Sequence, residues 1–293
     1  MATIRDILQY PLPVAYVALP QMGEIAVTDL GSGDMPLIWL HGLGSNIKAW
    51  QHMLPDFFPH RRCIAIDLPG FGKSVKSIFP CTMTFFAETV CQLLNQLAIH
   101  NYVLVGHSMG GQIAMHIAHC EPNRCRGIAL FAPAGFETFT TEAATLIKKW
   151  FQPTELVKAA PETIKANMER NFFSLGNSAQ ELVNERLSIM QATDYELFAA
   201  CVGASVSGML NEPVFQWLPD LQQPTLVVYG EEDRYIPNQY FNPTTTAAIA
   251  QAGAAKLPRA ELHLLPNCGH FPPIESASTC NALLNKWLQT NFL

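Results

Sequence analysis

The sequence predicts an α/β fold in which helices flank a mostly parallel central sheet and a helical block is inserted. Short apolar runs such as LIWL, VLVG and TLVVYG recur along the chain, as in strands buried on both faces. Helix-like stretches at 83–97 and 112–120 alternate with these runs. From about 134 to 215 the alternation stops and the pattern is helical throughout.

The order of these patterns also predicts the domain organisation. We expect strands at 24–30, 37–41, 62–68, 102–106, 127–131, 225–229 and 261–265. Strand character on both sides of the helical block indicates one core domain, formed by residues 1–133 and 216–293, with residues 134–215 inserted into it.

Composition narrows the class of protein. Of 293 residues, 49% are hydrophobic and only 14% charged, so a large part of the chain must be buried. The formal net charge of -6 argues against a nucleic-acid partner, which would require a basic surface. No run approaches the roughly 18 apolar residues of a membrane-spanning helix, and the first 20 residues lack the apolar stretch of a signal peptide. Eight scattered cysteines without a C-x-x-C pair favour a reducing compartment, so we expect a cytoplasmic protein.

Ser108 is the candidate nucleophile. Residues 102–111 read YVLVGHSMGG, a buried strand followed by G-x-S-x-G and then by a helical pattern. This strand–turn–helix context is the one that a nucleophile elbow requires. The chain must turn sharply to expose the serine, which brings Gly106 close to Gly110, and a Cβ atom at either position would collide.

A serine nucleophile needs a base and a group that orients the base. His270 follows the last predicted strand and Asp233 follows the one before it, so both fall at the carboxyl edge of the sheet. The chain order Ser, Asp, His is that of α/β serine hydrolases. Glu231 and Glu232 are the nearby alternatives to Asp233.

Two further sequence features partly resemble cofactor-binding sites. His116 and His119 stand three residues apart on the helix after the elbow, but no third metal ligand accompanies them. DLPGFGKS at 67–74 ends like a phosphate-binding loop but has Asp67 where the first glycine is needed. We therefore expect neither a metal nor an organic cofactor.

An oxyanion hole needs two backbone N–H groups near the nucleophile. Met109, directly after Ser108, should provide one. The sequence HGLG at 41–44, which follows the strand LIWL, should provide the other from Leu43.

These blocks together resemble the α/β-hydrolase family. HGLGS, DLPGFGKS, GHSMGG, GEEDRYIP and NCGHFPP occur in the order in which that family has them. The resemblance implies that residues 134–215 are a helical cap over the nucleophile. GHSMGG and the later FAPAGF are most similar to esterases and monoacylglycerol-lipase-like members, whereas carbon–carbon bond hydrolases typically show HGSGPG in place of HGLGSN.

The sequence thus predicts hydrolysis of a small, apolar carboxylic ester by Ser108, His270 and Asp233 through an acyl-enzyme. A carbon–carbon bond hydrolase or an amidase on the same triad is the enzymatic alternative. The non-enzymatic alternative is a catalytically silent member of the fold that only binds a ligand. Large apolar residues of the inserted block are expected to form an acyl-accepting inner wall; they are Phe136, Phe139, Trp150, Phe151, Met168, Phe172, Phe173, Met190, Phe198 and Met209.

Overall fold

The computed structural model describes residues 2–292, so Met1 and Leu293 of the predicted core lie outside the described residues. One eight-stranded sheet runs through the molecule in the order β1-β2-β4-β3-β5-β6-β7-β8. The strands are β1 Ala15–Leu19, β2 Gly23–Leu30, β3 Leu37–Leu40, β4 Cys63–Ile66, β5 Tyr102–His107, β6 Cys125–Phe131, β7 Thr225–Gly230 and β8 Ala260–Leu265. β1 with β2 and β2 with β4 pair antiparallel, and all other neighbours pair parallel.

Helices cover both faces of the sheet. They are α1 Ile4–Ile7, α2 Leu54–Phe57, α3 Met83–Gln96, α4 Met109–Cys120, α5 Thr141–Trp150, α6 Pro153–Lys158, α7 Pro161–Glu169, α8 Asn177–Ile189, α9 Tyr195–Asn211, α10 Thr246–Ala254, α11 Pro272–Glu275 and α12 Ala277–Phe292. Successive residues of one strand point to opposite faces, so Ile38 packs in one apolar core with Phe86 of α3. Trp39 packs in the other core with Trp287 of α12. The predicted fold class is confirmed.

The edge strand β1 is the strand that the sequence patterns did not predict. Four of its five residues are exposed or half-buried, so the run AYVAL carries no uninterrupted apolar signal. Proline residues at 13 and 20 flank it, as is common at sheet edges, where a missing N–H is tolerated. A strand with one free edge therefore forms from a segment that has no strand-like apolar pattern.

Helices α5 to α9 fill the chain between β6 and β7, and we call residues 134–215 the helical segment. The segment contacts the rest of the molecule through α9 against α3 and through α8 against α1 and α11. The Sγ atoms of Cys81, before α3, and Cys201, on α9, lie 2.9 Å apart in the buried part of this contact. None of the helices within residues 2–292 is long and apolar enough to cross a membrane.

Residues 2–10, which we call the N-terminal strap, connect the helical segment to the sheet. The N–H of Ile4 donates to Asp194 Oδ1 at 2.8 Å, and the N–H of Thr193 donates to the carbonyl of Ala2 at 3.1 Å. At the other end of the strap the Tyr10 hydroxyl donates to Asp67 Oδ2 at 2.8 Å. The strap thus contacts both parts of the molecule.

Candidate active site

Ser108 lies at the sharp turn between β5 and α4. Its φ of 52° places a non-glycine residue in the left-handed region, as a strained elbow requires. The turn is possible because its neighbours are glycines: a Cβ on Gly106 would lie 2.5 Å from the Gly110 carbonyl oxygen. A Cβ on Gly110 would lie 2.1 Å from the carbonyl oxygen of Leu40. The backbone explanation for G-x-S-x-G therefore agrees with the observed geometry.

The three predicted side chains meet at the carboxyl edge of the sheet. His270 Nε2 lies 2.9 Å from Ser108 Oγ, and His270 Nδ1 lies 2.6 Å from Asp233 Oδ2. An ionised carboxylate only accepts hydrogen bonds, so Nδ1 carries the proton and Nε2 is free to accept from the serine hydroxyl. His270 and Asp233 are buried, whereas Ser108 is half-buried and faces a cavity.

Asp233 is fixed from its other oxygen. Oδ1 accepts the N–H groups of Tyr235 at 2.7 Å and Ile236 at 2.9 Å. Glu231 and Glu232, the sequence alternatives, are exposed, and only Asp233 of the three reaches His270.

The predicted oxyanion donors flank the serine. Met109 is the first residue of α4, and Leu43 lines the cavity beside Ser108. Neither N–H group has a protein acceptor within residues 2–292. The loop that carries Leu43 is held by His41, whose Nε2 accepts the N–H of Leu68 at 3.1 Å and whose Nδ1 donates to the Gly42 carbonyl at 2.7 Å. Burial lowers the pKa of His41 to about 4, so it remains neutral.

His107, the residue before Ser108, connects the elbow to His270. Its Nε2 lies 2.8 Å from the carbonyl oxygen of His270 and donates to it. Burial, with a smaller contribution from His270, lowers the pKa of His107 to about 3. A neutral His107 therefore holds the main chain of His270 without adding a charge beside Ser108, His270 and Asp233.

Asp67 in the DLPGFGKS block is buried and accepts hydrogen bonds from several parts of the protein. Its carboxylate accepts the N–H groups of Ile47 at 2.7 Å and Lys73 at 2.6 Å, besides the Tyr10 hydroxyl. Burial raises the pKa of Asp67 to about 6.

His116 and His119, the two histidines spaced three residues apart on α4, both pack against Trp217. The distances from their ring centroids to that of Trp217 are 4.7 and 4.9 Å.

A cavity of about 980 Å³ opens over Ser108, between the sheet edge and the helical segment. The expected apolar wall lies there in part: the cavity is lined by Phe139, Trp150, Phe151, Met168, Phe198 and Met209. The other four do not line this cavity, and for them the prediction is wrong. Phe136 packs against Tyr229, Phe172 packs against Phe271, Phe173 is exposed, and Met190 is partly buried against the apolar core. Six of the ten predicted residues therefore form an apolar part of the wall, and charged residues such as Glu185 and Arg186 line another part.

Arg186 is a cavity residue that the sequence patterns did not reveal. It lies on α8, donates to the Gly44 carbonyl oxygen of the loop carrying Leu43, and stacks over Phe198 with 5.1 Å to the ring centroid. No carboxylate of residues 2–292 lies within 4 Å of its guanidinium. The adjacent Glu185 is already paired with Asn46 and Lys48. The Arg186 guanidinium therefore lines the cavity without a direct ion-pair partner among residues 2–292.

Comparison with known proteins shows the family of this chain. The family model described as the alpha/beta hydrolase fold matches residues 35–277. The chain belongs to the α/β-hydrolase fold family. The family match begins after the N-terminal strap and includes Ser108, Asp233 and His270.

Two relatives and one structure show the range of this α/β-hydrolase's similarities. The 2-hydroxymuconate semialdehyde hydrolase of Pseudomonas sp. (strain CF600) is 31% identical, with 89% of this chain and 88% of the relative covered. The dihydrolipoyllysine-residue acetyltransferase component of the acetoin cleaving system of Pseudomonas putida is 28% identical over 88% of this chain, which spans only 65% of that relative's length. A probable hydrolytic enzyme from Pseudomonas aeruginosa PAO1 superposes with a TM-score of 0.87 at 22% identity, covering 98% of each chain.

Proposed function

We propose that this α/β-hydrolase is a serine hydrolase that cleaves carboxylic esters, with Ser108 as nucleophile, His270 as base and Asp233 as the group that orients the base. The observation that carries the proposal is the continuous hydrogen-bonded chain from Ser108 Oγ through His270 to Asp233 Oδ2. A neutral imidazole with this tautomer can remove the serine proton as the oxygen attacks a carbonyl.

Each half-reaction uses the same groups. In the first, Ser108 Oγ attacks the ester carbonyl carbon, His270 takes the hydroxyl proton, and the N–H groups of Leu43 and Met109 stabilise the oxyanion. His270 then returns the proton to the departing alcohol. In the second, His270 takes a proton from water, which attacks the acyl-enzyme and releases the acid, and the proton returns to Ser108. Asp233 stabilises the imidazolium in both.

Ser108→Ala tests the proposal. The variant should fold normally, because alanine fits the elbow, but should lose p-nitrophenyl ester turnover by about 10⁴-fold or more and lose labelling by a fluorophosphonate. The label on the wild-type protein should map to Ser108 by peptide mass spectrometry. Labelling at another serine contradicts the assignment, and a wild-type protein that is not labelled supports the catalytically silent alternative.

Arg186 favours a second candidate, hydrolysis of a carbon–carbon bond on the same triad. The related enzyme from Pseudomonas sp. is named for 2-hydroxymuconate semialdehyde, a compound that carries a carboxylate. An unpaired guanidinium beside the loop carrying Leu43 is suited to bind such a group by charge-assisted hydrogen bonds.

A paired assay separates the two candidates. Wild-type protein is given 2-hydroxymuconate semialdehyde and, separately, uncharged p-nitrophenyl esters, each with an Arg186→Leu variant beside it. If the carbon–carbon bond is the target, the dienoate is consumed and Arg186→Leu loses about tenfold or more on it. If esters are the target, turnover of uncharged esters exceeds that of the dienoate, and Arg186→Leu lowers both by a similar factor, because it removes the hydrogen bond to the Gly44 carbonyl of the loop that carries Leu43.

A further inference from the structure

We propose that Glu275 is a positioning residue for His270, and that it acts by fastening the base loop, residues 267–271, to the turn at 171–174 of the helical segment. The proposal rests on the proposed role of His270 as base. It makes one turn of the helical segment part of the structure that assembles the triad.

The Glu275 carboxylate bridges the two chain segments. Its Oε2 accepts the N–H of Gly269 at 2.7 Å, in the base loop one residue before His270. Its Oε1 accepts the N–H groups of Phe173 at 2.6 Å and Ser174 at 3.1 Å, in the turn between α7 and α8. Both oxygens are therefore used, one on each side of the contact, and hydrogen bonds to an ionised acceptor are the stronger kind.

The segments also touch directly. The N–H of His270 donates to the carbonyl of Asn171 at 2.7 Å, and the rings of Phe172 and Phe271 stack with centroids 5.6 Å apart. A Cβ on Gly269 would lie 2.6 Å from the Asn171 oxygen, so only glycine permits this approach. The turn at 171–174 thus lies against the backbone of the base loop itself.

His270 is consequently held through both of its main-chain polar groups. Its carbonyl accepts from His107 of the elbow, and its N–H donates to Asn171 of the helical segment. Without the Glu275 bridge, the second attachment rests on one backbone hydrogen bond and one aromatic contact. A shift of about 1 Å at a reacting group is enough to lower a rate by about a hundredfold.

The loop that carries Asp233, residues 231–237 and here called the acid loop, is attached to the same part of the helical segment. The Tyr235 hydroxyl donates to the Asn167 carbonyl of α7, and Arg170 Nη2 donates to the Arg234 carbonyl at 3.2 Å. The Arg170 guanidinium also lies over the Tyr235 ring, 5.4 Å from its centroid. The end of α7 and the turn after it therefore contact the loops of both Asp233 and His270, which connects the position of the helical segment to triad geometry.

Glu275→Gln and Glu275→Ala test the proposal, with Glu232→Gln as the matched control because Glu232 is an exposed carboxylate of the acid loop. Glu275→Gln keeps the shape but replaces one acceptor oxygen with a donor that faces an N–H group. We expect kcat for a p-nitrophenyl ester to fall on the order of tenfold in Glu275→Gln and a hundredfold in Glu275→Ala, with KM changed less than about threefold. The control should stay within about twofold of wild type.

A spectroscopic readout separates positioning from general stability. The downfield proton resonance of the His270 Nδ1–H···Asp233 hydrogen bond should shift or broaden in both Glu275 variants and stay in place in Glu232→Gln. Wild-type kcat in Glu275→Ala overturns the proposal, as does a loss of kcat that only parallels the loss of folded protein while the resonance is unmoved. If the wild-type protein shows the resonance but neither turns over esters nor reacts with a fluorophosphonate, the proposed function fails, and the response of the resonance to Glu275 still decides the positioning role.

Discussion

At the scale of single residues, Asp233 shows how one carboxylate is given one orientation. Two backbone N–H groups hold Oδ1, which leaves Oδ2 directed at His270 Nδ1. We predict that Asp233→Asn lowers kcat by about 10³- to 10⁴-fold, because an amide nitrogen facing Nδ1 favours the wrong imidazole tautomer. Steady-state assays of the purified variant measure this effect.

The neighbouring acids provide the controls for that prediction. Glu231→Gln and Glu232→Gln should keep wild-type rates, because both side chains are exposed and neither hydrogen-bonds to His270. A large loss at Glu232 with none at Asp233 would transfer the orienting role to Glu232.

Residues differ in how far the sequence reveals them. Ser108, Asp233 and His270 could be proposed because each follows a recognisable strand, and the ends of parallel strands meet at one edge. Arg186 and Glu275 could not, since their roles depend on where the helical segment lies on the sheet. His107 lies within the G-x-S-x-G motif, but only its 2.8 Å contact with the His270 carbonyl oxygen shows what it does.

At the scale of elements, the helical segment determines the character of the cavity wall. Phe151 near the end of α5 and Met209 on α9 are half-buried and line the cavity. Each methylene buried against such a wall contributes up to about 0.8 kcal/mol, or roughly fourfold in kcat/KM.

We therefore predict that kcat/KM for p-nitrophenyl esters rises from acetate to a medium-chain acyl group and then levels off as the cavity fills. Initial rates across the ester series measure this, with Met209→Ala expected to move the plateau to longer chains. A steady fall from acetate upward would contradict the apolar-wall prediction and leave the triad assignment unaffected.

Elements also differ in their sequence signal. The buried strands β3, β5 and β7 were predictable because four to six consecutive residues are buried, which requires an uninterrupted apolar run. The edge strand β1 has one free side and mostly exposed residues, so its pairing with β2 comes from the finished sheet and not from its own pattern.

At the scale of the whole molecule, two buried neutral histidines make stability depend on pH. The pKa of His41 is lowered to about 4 and that of His107 to about 3, whereas in the unfolded chain both are near 6.5. Below pH 6.5 the unfolded chain binds protons that the folded protein does not, so stability is lost as the pH falls. At pH 5 each histidine costs about 2 kcal/mol relative to pH 7.

Asp67 acts in the opposite direction. The pKa of Asp67 in the folded protein is raised to about 6. Between pH 6 and 4 the folded protein therefore binds a proton that the unfolded chain does not, and by pH 5 this adds about 1.4 kcal/mol to the free energy of unfolding. These three groups together contribute a loss of about 2 to 3 kcal/mol to the change in the free energy of unfolding from pH 7 to pH 5. Urea unfolding at the two pH values measures it.

A histidine variant identifies the source of that loss. His107→Gln should show a smaller difference between pH 7 and pH 5, whereas His100→Gln, which changes an exposed histidine, should show the wild-type difference. Equal pH dependence in all three proteins would place the effect in other groups.

The N-terminal strap has a practical consequence for handling the protein. A purification tag joined before Ala2 would begin beside Thr193, next to the hydrogen bond that holds the strap on the helical segment. Ile4 and Leu8 of the strap line the cavity over Ser108, so disturbance of that contact reaches the cavity. At the opposite terminus, Phe292 packs on Trp287 and Gly127, away from the cavity lining. Kinetic comparisons of variants should therefore use protein tagged at the C-terminus, or with any N-terminal extension removed.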